Sequence, residues 1–376
     1  MIYLDYASTT PLHPEVLKTY TKLLENHYGN SDSLHDIGRK VNKAMEQSRE
    51  MCAKLLHVQP SELIFTSCAS EANNYAIKGY ALANQRKGKH IISTTIEHSS
   101  VMHSLSQLEE YFGFEVTYIE VDECGRLNME QFKKALRNDT ILVSMMYVNN
   151  ETGGILPVEE VSDYVHQNSR AMMHVDCVQA MGKIPVSLNK FDLATFSAHK
   201  IYGLKGSAML YKSKNIELLP LISAGQQEQG IRGGTSNAPV NIMLAKTLRL
   251  ALEEQPKAYD YVLSLNTYLR QAIEEMDDFV INSPQNASPF ILNFSDLKIG
   301  SEIMLNALNT AGFAVSAQST CASHSKAHSK VLAAMGLGME RATHAVRVSL
   351  STLTTKKDVE NFIQTLKEIH KDYATR

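Results

Sequence analysis

From about residue 62 the chain alternates short β-rich runs with amphipathic stretches, and this alternation limits the fold more than any other feature. The runs are ELIFTS (62–67), HIISTTI (90–96), EVTYIEV (115–121), ILVSMMYV (141–148), AMMHVD (171–176), DLATFS (192–197) and SAMLYK (207–212). Helix-like stretches such as ASEANNYAIKGYALAN (69–84) and SSVMHSLSQLEEYF (99–112) separate the earlier ones. The pattern reads as an α/β domain with a mostly parallel sheet, which binds ligands at the carboxyl ends of its strands.

A long helical pattern, SNAPVNIMLAKTLRLALEEQPKAYDYVLSLNTYLRQAIEEM, then leads to shorter strands, FVIN, FILNFS, AVSAQ and AVRVSL, with fewer helices. A smaller α+β domain is expected there. The expected division is a large domain over 15–255 and a small one built from 1–14 and 256–376. The stretch HPEVLKTYTKLLENHY has Pro14 at a helix start, and Thr355 with Asp358 forms a capping-box pattern ahead of the last apolar stripe.

At 376 residues the chain is long for one core. A formal net charge of -3, with no dense run of Lys or Arg, argues against nucleic acid as a direct substrate. The start, MIYLDYASTTP, lacks a signal-peptide pattern, and no apolar stretch reaches the roughly twenty residues a membrane span needs. The expectation is a cytoplasmic protein. Five scattered cysteines without C-x-x-C spacing argue against a disulfide framework or a structural zinc site.

Several polar residues fall at the predicted strand ends. Ser67, Ala69 and Ser70 open a helix, where N–H groups suit a phosphate, although a plain Ser N-cap fits as well. Asp176 ends a strand and Gln179 follows it; the pair suits a protonated ring nitrogen and another ring substituent, or an ordinary capping turn. Lys200, in FSAHKIYGLKG, follows a further strand and could form a Schiff base with an aldehyde cofactor. Cys321 sits in the small, polar stretch VSAQSTCASHSKAHS, a setting for a reactive thiol or a tolerated surface one.

Together with YLDYASTTP, GNSDSLHDIG, FTSCASEANN, IEHSSV, YVNNETGGILPV, HVDCVQAMGKIPV, GIRGGTSN and AVRVSLSTLTT, these motifs resemble the cysteine desulfurases of the nitrogen-fixation and iron–sulfur-cluster type almost end to end. The resemblance implies fold type I of the pyridoxal-phosphate-dependent transferases, with a mostly parallel seven-stranded sheet in the large domain and a smaller α+β domain. It implies pyridoxal 5'-phosphate as cofactor, held by Lys200 and stacked on His98. Asp176 would meet the ring nitrogen and Gln179 the phenolic oxygen. The phosphate would take Ala69, Ser70, Ser197 and His199, with Thr235 of the partner subunit in a homodimer. Asn150 and Arg347 would bind L-cysteine, Asn150 also touching the cofactor, and Cys321 would take the sulfur. The segment after Cys321 resembles the long-loop group, which hands sulfur to acceptor proteins, here an iron–sulfur scaffold, a tRNA-thiolating enzyme or a thiamin-pathway protein.

Four positions depart from the family pattern: Cys68 and Gln318 where Gly is usual, Leu156 where Gln is usual, and Ser351 where Gly is usual. Cys68 therefore puts a side chain into the phosphate turn. The competing readings are a selenocysteine lyase, a class-V aminotransferase and a weakly active sulfur-transfer scaffold. A nicotinamide-dependent enzyme lacks its G-x-G-x-x-G after the first strand.

Overall fold

A computed structural model describes residues 1–317 and 328–373. After a two-residue strand β1 (Ile2–Tyr3), the seven β-rich runs become β2 (Leu63–Thr66), β3 (His90–Thr94), β4 (Glu115–Ile119), β5 (Thr140–Met146), β6 (Met172–Asp176), β7 (Leu193–Ser197) and β8 (Ala208–Lys212). They form one sheet in the order β2-β8-β7-β6-β5-β3-β4. Only β8 runs against the rest, pairing antiparallel with both β2 and β7. The expected mostly parallel sheet is the observed one.

Helices cover both faces of such a sheet, so its central strands are buried on both sides. All seven residues of β5 are buried, and Val143, Met145, Met173, Val175 and Phe196 share one core with the helix Asp36–Leu56. Each such apolar side chain contributes about 1.5–3 kcal/mol when fully buried. Two buried hydroxyls find partners inside the sheet: Ser93 Oγ donates to the Ser144 carbonyl at 2.8 Å, and Ser144 Oγ lies 2.8 Å from His174 Nδ1.

The long helical pattern is one helix, Ala238–Glu274, with Pro256 inside it. Its first half packs Leu244 and Leu248 into the sheet core, and its second half packs Val262, Leu265 and Leu269 into a separate core. That second core holds the antiparallel strands β9 (Phe279–Ile281), β10 (Ile291–Asp296) and β12 (Ala345–Ser349), in the order β12-β10-β9. Leu4, just past β1, joins the same core, and β1 pairs in parallel with β11 (Phe313–Ala314). The final helix, Lys356–Tyr373, starts with the expected reciprocal cap. Thr355 N–H donates to Asp358 Oδ2 at 2.8 Å, and Asp358 N–H donates to Thr355 Oγ1 at 3.1 Å. Among the described residues no helix is long and apolar enough to cross a membrane.

Candidate active site

The carboxyl ends of β5, β6 and β7 open into a cleft of about 820 Å³, counting its mouth. Its walls hold His98, Asn150, Asp176, Gln179, His199, Lys200 and Arg347, with Ala69 and Ser70 along one side. Nine of the twelve site residues that the resemblance implies thus meet in one cavity. Ser197 is buried beside it and turns its hydroxyl toward the Ser207 carbonyl at 3.4 Å. Thr235 is exposed and does not line the cleft. Cys321 and Gln318 lie outside the described residues.

Asp176 is the last residue of β6. Its Oδ1 accepts from Val178 N–H at 3.0 Å and its Oδ2 from Asn73 Nδ2 at 2.8 Å. Asn73 is 1% exposed, donates also to Ser100 Oγ at 2.9 Å, and accepts from Thr195 Oγ1 at 2.5 Å. Sequence reasoning missed Asn73, although it stands in the FTSCASEANN motif. An Asn inside a helical stretch carries no local sign of the carboxylate it holds.

His98 caps the helix Ser99–Phe112, its Nδ1 accepting from Ser100 N–H at 3.2 Å. Burial depresses its pKa below the usual histidine value, and Lys200 and His103 add to the depression against the opposing pull of Asp176. The ring is therefore neutral near pH 7, and with Nδ1 accepting, Nε2 carries the proton. His199 is pushed down to about 4, by burial first and then by Lys200, Lys205 and Lys183.

Lys200 lies in a short turn after β7, and its Nζ donates to the carbonyls of Ala7 and Ser8, each at 2.7 Å. The N-terminal segment pins that turn. Thr10 N–H and Oγ1 both donate to the His199 carbonyl at 2.9 Å, Tyr202 N–H donates to Thr10 Oγ1 at 2.8 Å, and His13 N–H donates to the Tyr202 carbonyl at 2.9 Å.

Arg347, on β12, is 1% exposed. Its Nη1 donates to the Asn150 carbonyl at 2.8 Å, and its Nη2 to Asp5 Oδ1 at 2.9 Å and Ser8 Oγ at 2.7 Å. Among the described residues its Nε has no partner. A buried guanidinium N–H left unpaired beside a cleft is a donor waiting for an acceptor, and an anion supplies the best one.

The first turn of the helix Ala69–Asn74 leaves N–H groups without helical acceptors on the cleft side. Glu71 secures the turn by accepting from Ser67 N–H at 2.9 Å and from Arg232 Nε at 2.8 Å. Cys68, at φ −161°, is extended, a conformation open to any residue, so this departure from Gly costs no backbone strain. Leu156 is buried in the sheet core. Ser351 is buried, its Oγ accepting from Leu353 N–H at 2.9 Å. Among the described residues no cluster of three or more His, Cys, Asp or Glu could hold a metal.

The same fold and sequence pattern recur in known proteins. The aminotransferase class-V family matches residues 2–362. The cysteine desulfurase IscS of Dictyoglomus turgidum is 40% identical, over 98% of this chain and 94% of its own. A solved NifS-like protein superposes with a TM-score of 0.93 at 36% identity, covering 99% of both chains. SspA, solved in complex with cysteine, superposes with a TM-score of 0.82 at 31% identity over 94% of this chain and 100% of its own. With the family matched along nearly the whole sequence and these relatives covered almost end to end, the chain belongs to the aminotransferase class-V family and, within it, to the cysteine desulfurases.

Proposed function

We propose that this cleft binds pyridoxal 5'-phosphate on Lys200, takes L-cysteine against Arg347, and passes the cysteine sulfur to Cys321 as a persulfide. The observation that carries the reading is the meeting of Lys200, Asp176, His98, Gln179 and the helix start at Ala69–Ser70 in one cavity. The donor set fits the cofactor group by group. Lys200 supplies an amine for an aldehyde, Asp176 a carboxylate for a protonated ring nitrogen, and Ala69, Ser70 and His199 a setting for the phosphate. When bound, the cofactor supplies an electron-poor ring that takes up the electron pair freed at the substrate Cα.

The chain's own groups do the rest. Arg347, with its unpaired Nε, binds the substrate carboxylate, and Asn150 lies beside it. Lys200 removes the Cα proton, and neutral His98 holds a proton at Nε2 to give. The Cys321 thiolate attacks the substrate sulfur, so that an S–S bond forms as the Cβ–S bond breaks; the freed electron pair stays on Cβ, which takes up a proton, and alanine leaves. Thr235 of the partner subunit completes the phosphate site in a homodimer. The sulfur then goes to an acceptor protein of iron–sulfur-cluster assembly or tRNA thiolation.

The test is incubation of the pyridoxal-phosphate-loaded protein with L-cysteine, without reductant. Alanine should form, and the peptide holding Cys321 should gain one sulfur atom by mass. Cys321→Ala should keep the cofactor and lose sulfur transfer. An added sulfur on Cys68 in its place, or undiminished alanine formation by Cys321→Ala, would overturn the assignment.

A further inference from the structure

Lys183 is a buried lysine for which the reaction above has no use. It lies one turn beyond Gln179, is 7% exposed, and has the Phe290 ring centroid 5.9 Å from its Nζ. Burial, with Lys200 and Arg347 nearby, pushes its pKa down to about 7. Holding an ammonium group in such a place costs stability that a methionine of similar shape would not. Something other than packing accounts for a lysine here.

Among the described residues its side-chain hydrogen bond is with Gln179 of the cleft. Lys183 Nζ donates to Gln179 Oε1 at 2.6 Å, and Gln179 Nε2 donates to the Ala7 carbonyl at 3.0 Å. That carbonyl also accepts from Lys200 Nζ. The Ala7 carbonyl only accepts, so it takes Nε2 and turns Oε1 to Lys183, whose amine has hydrogens to donate in either charge state. Nε2 then keeps a second hydrogen to offer to the cleft that Gln179 lines. The donated hydrogen on Oε1, most of all when Lys183 is protonated, polarises the amide and makes that N–H a stronger donor.

We propose that Lys183 is a positioning residue of the cofactor site, holding the Gln179 amide with its N–H group toward the ring oxygen of the cofactor and strengthening that donor. The inference rests on the pyridoxal-phosphate reading of the cleft. It predicts that Lys183 acts through Gln179 and not beside it.

A double-mutant cycle decides this. Cofactor-free wild type, Lys183→Met, Gln179→Ala and the double variant are titrated with pyridoxal phosphate, and affinity and the position of the visible absorption band are recorded. Lys183→Met should weaken binding about 10-fold, the size of one hydrogen bond to a charged group, and shift the band as Gln179→Ala does. In the Gln179→Ala background the same substitution should change affinity less than about 2-fold and leave the band in place. Loss of packing alone would weaken binding in both backgrounds and would not reproduce the band shift. Lys183→Gln, a neutral donor, carries the same cycle should the Met variant not fold, and should fall between Met and wild type. Equal losses in both backgrounds, or a Lys183→Met protein with unchanged affinity and band, would overturn the proposal. A wild type that binds no pyridoxal phosphate removes the cofactor reading and this inference together; a wild type that binds it with an additive cycle removes this inference alone.

Discussion

Asn73→Ala is the sharpest test of how the cleft is built, because one buried amide serves three elements at once. Asn73 holds Asp176 at 2.8 Å and Ser100 at 2.9 Å, and receives the Thr195 hydroxyl at 2.5 Å. Truncation removes a bond to a charged carboxylate, about 1.5–3 kcal/mol, and strands the Thr195 hydroxyl, about 1–3 kcal/mol more. Thr195 is fully buried, so its loss stays uncompensated, whereas water from the cleft can reach Asp176. The net expectation is about 3 kcal/mol of lost stability. Urea unfolding of cofactor-free protein, at fixed protein concentration, measures it as a lower midpoint with an unchanged slope. The Thr195→Val background removes the stranded hydroxyl, so the cost of Asn73→Ala should fall there by about 1 kcal/mol or more. Affinity for pyridoxal phosphate should also drop, because Asp176, the proposed partner of the ring nitrogen, is no longer held by Asn73. A loss below about 1 kcal/mol with unchanged affinity would show that Asp176 is positioned by something other than Asn73.

Three further outcomes follow from the same geometry. Arg347→Lys replaces a fork that reaches both Asn150 and Asp5 with a single ammonium, so kcat/KM for L-cysteine should fall about 10- to 100-fold, chiefly through KM; steady-state alanine assays read this, and an unchanged KM would take Arg347 out of substrate binding. His174 is buried neutral with its pKa pushed down to about 3. The unfolded chain therefore binds more protons between pH 6.5 and about 3, stability falls as pH drops through that window, and the urea midpoint of His174→Gln should fall less steeply than wild type. Because Glu97, raised to about 8 by burial, slopes the opposite way in both proteins, the comparison cancels it. Gly203→Ala would place a Cβ 2.5 Å from Thr247 Cγ2 and 2.7 Å from Ala198 Cβ, so the turn bearing Lys200 must shift, and both melting temperature and cofactor affinity should fall.

Strand-level order was legible because apolar runs and turn residues alternate with a period the sheet imposes, and each of the seven runs became a strand. The site was legible where chemistry stands at a strand end, as with Asp176 and Lys200. It was not legible where a residue acts from another element. Asn73 looks like an ordinary helix residue, and only folding brings it to Asp176, 103 positions away. Asp5 is similar: nothing near it in sequence shows the guanidinium it meets 342 positions away. The Cys68 departure was legible as a change of side chain but not as harmless, because its extended φ is a property of the folded turn.

The N-terminal segment shows why the large sheet cannot make this site by itself. The sheet supplies Asp176 and the turn carrying Lys200, but the carbonyls that receive the Lys200 amine belong to Ala7 and Ser8. The same segment sends Asp5 to Arg347 on β12, and Ala7 N–H to Ser349 Oγ at 2.9 Å on that strand. Ser349 N–H in turn donates to the Leu4 carbonyl at 2.7 Å. Residues 4–10 thus form a strap fixed at one side to the turn after β7 and at the other to β12. Displacing the strap would move the acceptors of Lys200 and the partner of Arg347 together. Amine and guanidinium are therefore held at a set separation by one short run of backbone, and a substrate bound through its carboxylate would meet Lys200 at a distance fixed by residues 5–8.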